Sequence, residues 1–287
     1  MDAELSLEER IKASLGTLTP KQKRLARLAL EDRSFFAFAS ASQLGKETAS
    51  SAATVVRFAQ TIGYAGFPEL QNAVRLELPH YLTAVERMQA RLAAPTPPED
   101  VYQQVFYYDI RNVQLTAENL STTMLDEAIA AIVASKCILV VGSGLSAGLA
   151  VFLAHSLRVI GFEARALTGH SLSLASEVAL VTPETLMIAI DLRRHVRSTL
   201  EAVKSARRGG ATTIAITDNR VSRLARRADY VFEVAAEGYA HSLSTTGAMS
   251  LLNVILAEVS YRLPERTLEA LRRVDETYRQ HNLLVQE

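Results

Sequence analysis

The sequence predicts a two-part fold: an all-helical domain with a helix-turn-helix, then an α/β sandwich on a parallel sheet. Three observations carry this. Residues 1–78 show only the 3.6-residue spacing of amphipathic helices. Beyond Leu125, near-continuous apolar runs alternate with helical patterns, as in strands buried on both faces between crossover helices. Between the two, Ala94-Pro95-Thr96-Pro97-Pro98 is a stop and linker. The predicted divisions are 1–78, a linker with a connecting helix over 79–124, and 125–287. A length of 287 residues fits about two domains.

Thr19-Pro20-Lys21-Gln22 opens the first clear helix. Thr19 caps it, Pro20 takes the first helical position and Gln22 can close a capping box. Leu25, Leu28 and Ala29 form its apolar side, leaving Lys21, Lys23, Arg24 and Arg27 available to phosphates. Ser40 to Glu47 reads as a short helix with Leu44 inward, and Glu47-Thr48-Ala49-Ser50-Ser51 as a tight connector. Ser51 can then cap a helix starting at Ala52. Its dry side is Val55, Phe58, Ala59 and Ile62; its other side carries Ala53, Thr54, Arg57 and Thr61. Gly63 follows where helices stop in a left-handed turn. Two short helices so joined make a helix-turn-helix, and a small, polar, cationic face suits a DNA major groove.

A plain helical bundle would explain any one of these helices. The combined pattern is more specific. Ser51, Thr54, Val55, Arg57 and Phe58, followed by Gly63, Tyr64, Gly66 and Phe67, resemble the amino-terminal domain of the RpiR/MurR-like family of bacterial transcription regulators. That resemblance implies binding to double-stranded operator DNA as a homodimer or homotetramer. The DNA-facing residues it suggests are Lys21, Lys46, Ser51, Ala53, Thr54 and Arg57.

Composition sets bounds. Formal charge is zero overall, but Thr17–Glu77 holds eight Lys and Arg against five Asp and Glu, a net of +3. Phosphate contact depends on such local placement more than on totals. No apolar run reaches 18 residues, so no membrane span is expected. The acidic start MDAELSLEERIK lacks an apolar signal core, and the single cysteine, Cys137, precludes an internal disulfide. A cytoplasmic protein is expected. No cofactor motif and no metal-ligand spacing stand out.

After the linker, a long helix is expected from Glu99 to about Leu120, serving core packing or a dimer contact. Strands are expected at Cys137–Val141, Glu163–Leu167, Leu186–Ile190, Thr213–Thr217 and Tyr230–Val234. Helices are expected at Ala147–Ile160, Val196–Arg208, Val221–Arg227, Ser242–Arg262 and Glu265–His281.

The first strand runs into Gly142-Ser143-Gly144-Leu145-Ser146-Ala147-Gly148, a loop whose backbone can approach an anion, with Ser146 placed to cap the next helix. Three readings stand. Gly142, Gly144 and Ala147 satisfy a dinucleotide fingerprint, but the acid it needs, Glu163, begins the second strand instead of ending it. A bare structural turn is another. The third is the sugar isomerase (SIS) domain, whose first phosphate loop resembles Gly142, Gly144 and Ser146 with Ser143 between. Ala215–Asp218 and Arg226–Val234 also look like that domain, which the same regulator family carries after its helix-turn-helix.

One departure matters. The second, Ser/Thr-rich phosphate loop of SIS domains is here Asp191-Leu192-Arg193-Arg194-His195-Val196-Arg197-Ser198-Thr199, with Asp191, Arg193 and Arg194 in place of serine, serine and glycine. Either Arg193, Arg194 and His195 bind a more acidic ligand, or Asp191 pairs with an arginine and the pocket takes an unphosphorylated one. The expected effector residues are Gly142, Ser143, Gly144, Ser146, Asp191, Arg193, Arg194 and His195. An SIS isomerase needs a base, and His170, Glu177, Glu237 and His241 are candidates, but none forms a recognisable acid/base pair. The sequence therefore reads as a regulator that senses a small anionic metabolite, foremost a sugar phosphate. The alternative is a sugar-phosphate isomerase with an accessory helical domain.

Overall fold

The computed structural model describes residues 6–31, 33–76, 84–92, 100–169, 171–193, 196–220 and 222–283. The chain divides into two compact units, Met1–Ala94 and Pro95–Glu287. The linker residues 94–98 lie, Ala94 included, outside the described residues, as do His170, Arg194 and His195.

Among its described residues the first unit is helical: α1 (Leu7–Ser14), α2 (Pro20–Glu31), α3 (Arg33–Phe38), α4 (Ala41–Glu47), α5 (Ala52–Thr61), α6 (Phe67–Leu76) and α7 (Ala84–Leu92). Short polar side chains start these helices. The Thr19 N–H donates to Gln22 Oε1 at 3.0 Å, and the Gln22 N–H to Thr19 Oγ1 at 3.4 Å. Ser40 and Gln43 repeat the arrangement on α4. Ser51 Oγ accepts the Thr54 N–H at 3.2 Å. Gly63 ends the α5 region at φ +88°, with the Tyr64 N–H reaching back to Ala59 O at 3.0 Å. The core joins Leu25, Phe36, Leu44, Val55, Phe58 and Leu70, all fully buried. Phe36 meets Phe58 and Phe67 edge-on at 6.4 and 6.3 Å. Each such large side chain contributes about 1.5–3 kcal/mol by leaving water.

The second unit begins with α8 (Val101–Glu118) and α9 (Thr122–Ala134). It continues β1 (Cys137–Gly142), α10 (Leu145–Val159), β2 (Ala164–Leu167), α11 (Ser171–Ala179), β3 (Thr185–Asp191) and α12 (Arg197–Arg208). It closes with β4 (Thr212–Thr217), β5 (Tyr230–Glu233), α13 (Thr246–Arg262) and α14 (Pro264–Gln280). The sheet is parallel throughout, in the order β2-β1-β3-β4-β5. Alternation splits its side chains between two cores. Ile138, Val140, Ile188, Ile190 and Ile214 pack with Ile129 of α9, Leu153 of α10 and Leu252 of α13. Leu139, Val141, Met187, Ala189 and Ala215 pack with Leu174 of α11 and Val203 of α12. The result is a three-layer sandwich. Chain order reverses between β1 and β3, so the loops after these two strands flank a switch point, where open parallel sheets bind ligands.

Three elements differ from expectation. The helix expected at Val221–Arg227 is, among the described residues, a single 3₁₀ turn, Ala225–Arg227, with Ser222 Oγ accepting the Ala225 N–H at 3.0 Å; Val221 lies outside the described residues. α11 forms where no helix was expected, anchored by buried Leu174 and Val178. α13 starts at Thr246 instead of Ser242. There the chain folds back too tightly for a helix: a Cβ on Gly238 would lie 1.8 Å from Ser242 O. No helix among the described residues is long and apolar enough to cross a membrane.

Candidate functional site

In the first unit the site is the α4–turn–α5 element. Gly45 lets the two helices close: a Cβ there would sit 2.9 Å from Ser50 O and 3.0 Å from the Ser51 carbonyl carbon. Ala49 turns the chain at φ +48°. Thr48 is buried, its hydroxyl donating to Leu44 O at 2.8 Å. Arg24 of α2 clamps the turn from behind, with Nε donating to Thr48 O at 2.8 Å and Nη2 to Ala49 O at 3.3 Å. Arg24 was expected to be available to solvent, and it is exposed, while its guanidinium also bonds the turn carbonyls.

α5 buries Val55, Phe58 and Ala59 and exposes Ala53, Val56, Arg57 and Gln60, with Thr54 half-buried. The Arg57 guanidinium has no hydrogen-bond or ion-pair partner among the described residues. Lys21 and Lys46 are exposed on α2 and α4. The Ser51 and Thr54 hydroxyls lie 2.9 Å apart. Thr61 is exposed as well, and its hydroxyl donates to Arg57 O at 2.8 Å and accepts from Gln22 Nε2 at 3.0 Å.

In the second unit the loops after β1 and β3 meet at the carboxyl edge. Gly142 is required there, because a Cβ would lie 2.4 Å from Ser146 O. Gly144, at φ +58° and ψ −126°, caps α10 in a conformation that suits glycine. Ser146 was expected to be the cap. It lies within the first turn instead, buried, and its hydroxyl accepts the Leu192 N–H at 3.4 Å. The next N–H, of Arg193, donates to Asp218 Oδ1 at 2.9 Å, and Arg193 holds φ +68°. The second loop is thus latched to both neighbours. The N–H groups of Gly144 and Leu145, by contrast, meet no acceptor among the described residues. They sit at the positive end of a 15-residue helix.

Polar side chains are buried around this edge. Asp191, in register with Thr217 on β4, is 4% exposed, and Asp218 is 8% exposed. Thr217 Oγ1 has no hydrogen-bond partner among the described residues. Thr199, fully buried in the first turn of α12, lies 3.5 Å from Ser143 Oγ. Sequence reasoning missed Thr199 and Thr217; the only signal was their place after β3 and at the end of β4.

Other candidates fall elsewhere. Glu177 on α11 pairs with Arg165 at 3.0 Å. Glu237 and His241 lie on the loop between β5 and α13. Glu163 precedes β2, away from the carboxyl edge, which removes the acid a dinucleotide site would use. Cys137 is partly buried, with Arg165 Nη2 3.7 Å from its sulfur. No cluster of three His, Cys, Asp or Glu among the described residues is placed to hold a metal ion.

A helix-turn-helix, joined to a parallel-sheet domain with a glycine-lined loop after its first strand, defines a class: transcriptional regulators with a separate second domain. The family models agree. Residues 5–80 match the helix-turn-helix domain of the rpiR family, and residues 131–258 match the SIS domain. The sugar isomerase domain of an RpiR transcription factor from Sphaerobacter thermophilus is 39% identical, with a TM-score of 0.60, covering 61% of this chain and 98% of that one. A Haemophilus influenzae HTH-type transcriptional regulator, itself uncharacterised, is 27% identical over 216 residues, 75% of each chain. Vibrio vulnificus NanR, solved in complex with ManNAc-6P, shares the fold at 19% identity and a TM-score of 0.66, over 98% of this chain and 100% of that one. The chain belongs to the rpiR family of helix-turn-helix transcriptional regulators with a SIS domain.

Proposed function

We propose that this regulator reads an operator with α5 and adjusts its grip when a small acidic sugar, foremost a sugar phosphate, occupies the carboxyl edge of the sheet. Ala53, Thr54 and Arg57 face the bases, Ser51 starts the reading helix, and Lys21 and Lys46 meet phosphates. The observation that carries the sensing half is the asymmetry of the two loops. The N–H groups of Leu192 and Arg193 are taken internally, while those of Gly144 and Leu145 are not. The anionic group therefore belongs against α10. Asp191 repels phosphate from the β3 side and accepts hydroxyl groups of the sugar, beside Ser143, Thr199 and Thr217. NanR, a structural neighbour bound to ManNAc-6P, supports a phosphosugar of that general kind. Arg193 contributes positive charge at the same edge; Arg194 and His195 complete the proposed set.

The SIS domain acts as a sensor and not as an isomerase, because Glu177 is held by Arg165 and Asp191 stands where the second phosphate cradle would be. The functional unit is a homodimer or homotetramer. Val101, Tyr102, Phe106, Tyr107 and Ile110 of α8 are each more than half exposed, and residues 101–108 contain no charged side chain. With aromatic residues presenting areas of order 100 Å² apiece, this patch is large for a monomer surface.

The deciding experiment is a thermal-shift titration against sugar phosphates, carboxylated sugars and neutral sugars. Selective stabilisation by one acidic sugar, about 2.7 kcal/mol at 100 times its Kd, is the expected result. A response confined to neutral sugars removes the anion from the proposal. Turnover of a phosphosugar, with no sequence-specific DNA binding, would favour the isomerase alternative.

A further inference from the structure

The loop between β5 and α13, residues 234–245, forms part of the same carboxyl edge, and α8 holds it at successive turns. Asn112 Nδ2 donates to Glu237 O at 2.8 Å, and the Glu237 N–H donates to Asn112 Oδ1 at 3.2 Å. One side-chain amide thereby satisfies both backbone groups of Glu237, as a neighbouring strand would. A turn further on, Thr116 Oγ1 accepts the Ala235 N–H at 3.0 Å. A turn earlier, Ser244 Oγ donates to Asp109 Oδ1 at 2.5 Å, and the Tyr108 and Tyr239 rings lie 5.9 Å apart.

Asn112 and Thr116 are 2% and 5% exposed. Packing alone would be served by apolar side chains here, so the polar choice matters for what it grips. Gly247, in the first turn of α13, allows the grip. A Cβ there would meet Thr116 Oγ1 and Ala235 O at 2.6 Å and Asn112 O at 3.1 Å. Through its amino end, α8 also continues the chain that arrives from the DNA-binding unit.

We propose that Asn112 and Thr116 are positioning residues that make α8 the transmission element of the regulator. They fix the 234–245 loop as one wall of the sensing edge. A ligand that displaces this loop must then carry α8 with it, because the loop is bonded at three successive turns of a continuous helix. The movement enters the chain leading to the reading helices and the apolar dimer face on the same helix. This rests on the sensing and DNA-binding reading proposed above. A ligand acts only through a difference in affinity between two states, and linkage makes that difference reciprocal. Bound DNA must therefore alter the 234–245 loop even with no ligand present.

That reciprocity gives a test that needs no known effector. Full-length protein is used to select a duplex from a random DNA pool, and amide exchange across residues 234–245 is followed with and without that duplex. The expected result is a change of about fivefold or more in the native protein, the lower end of ordinary allosteric coupling. In Asn112→Leu the change is lost while duplex affinity is kept. Thr116→Val, nearly isosteric, is the second variant and gives the same result should Asn112→Leu loosen the fold. A native protein that binds its duplex with no change in the loop overturns the proposal, as does a change that persists in both variants. Failure to select any duplex overturns the DNA-binding reading itself, and the coupling with it.

Discussion

The backbone N–H of Arg193 donates to the carboxylate of Asp218 at 2.9 Å, tying the loop after β3 to the end of β4. Arg193 keeps a left-handed φ of +68° in doing so, a conformation that costs an L-residue roughly 1–2 kcal/mol. Asp218→Ala is expected to release this loop and to destabilise the second unit by about 1–3 kcal/mol, the cost of an abandoned buried partner. Denaturant unfolding, combined with amide exchange at Arg193, measures both effects. An unchanged exchange rate at Arg193 would show that the latch is not what holds the loop.

Arg57→Ala is expected to weaken operator binding by about 1–3 kcal/mol, the worth of one bidentate base contact. The Arg57 guanidinium is exposed and has no partner among the described residues, so the melting temperature should not move. Titration of a labelled operator, run beside a thermal melt, separates the two quantities. Unchanged operator affinity rules Arg57 out as a reading residue.

Arg24 and Lys46 make an instructive pair. Arg24→Ala removes hydrogen bonds to two turn carbonyls, Thr48 O and Ala49 O, and is expected to cost about 1.5–3 kcal/mol of stability. Lys46→Ala should leave stability intact and reduce the slope of log affinity against log salt by about one, as for a lost phosphate contact. Salt titrations of both variants check this, and a reversed outcome would exchange the two roles.

Gly142→Ala drives a methyl group into Ser146 O, 2.4 Å from the ideal Cβ position. Overpacking of this kind costs about 1–3 kcal/mol, and the displaced α10 amino terminus should lose its response to the acidic sugar. Thermal melts with and without that sugar distinguish general damage from loss of the site. A full ligand response in this variant would place the anion elsewhere.

The start of α1 should respond to acid. The Ser6 backbone N–H, then the Ser6 hydroxyl, hold Glu9 below the ordinary carboxylate range, and a Lys12 hydrogen bond does the same for Glu8. Carboxylates with a depressed folded-state pKa support the helix above their ordinary titration range. That support is lost as pH falls through the folded-state values. Amide exchange of Leu7–Ser14 followed from about pH 6 to pH 3 should show fraying only in the acid part of this window.

The reading head was legible because its determinants are local. Thr19 and Gln22, Ser51 and Thr54, and Gly63 each act within one turn of the chain, and the sequence displays such pairs directly. The strands were legible from their unbroken apolar runs. The exposure of Arg24 was legible, but its hold on the turn was not, because its partners lie 24 and 25 positions away and nothing near it marks a clamp. Ser146 was misassigned because a serine after a glycine loop looks like a cap, yet its acceptor role is set by Leu192, 46 positions on. The grip of Asn112 on Glu237 spans 125 positions. The sequence also offered Val221–Arg227 as a helix, where the described chain makes only a 3₁₀ turn, Ala225–Arg227.

The clamp of Arg24 on the turn, and the closure of the helices over Gly45, both act from behind α5. The exposed side chains of Ala53 and Arg57, which we propose face the bases, make none of these framing contacts, so these proposed recognition letters are separate from the frame that presents them. Descendants of this chain can exchange those letters one at a time and follow a drifting operator without passing through an unstable intermediate. New target genes are therefore reachable by substitutions on a single exposed surface.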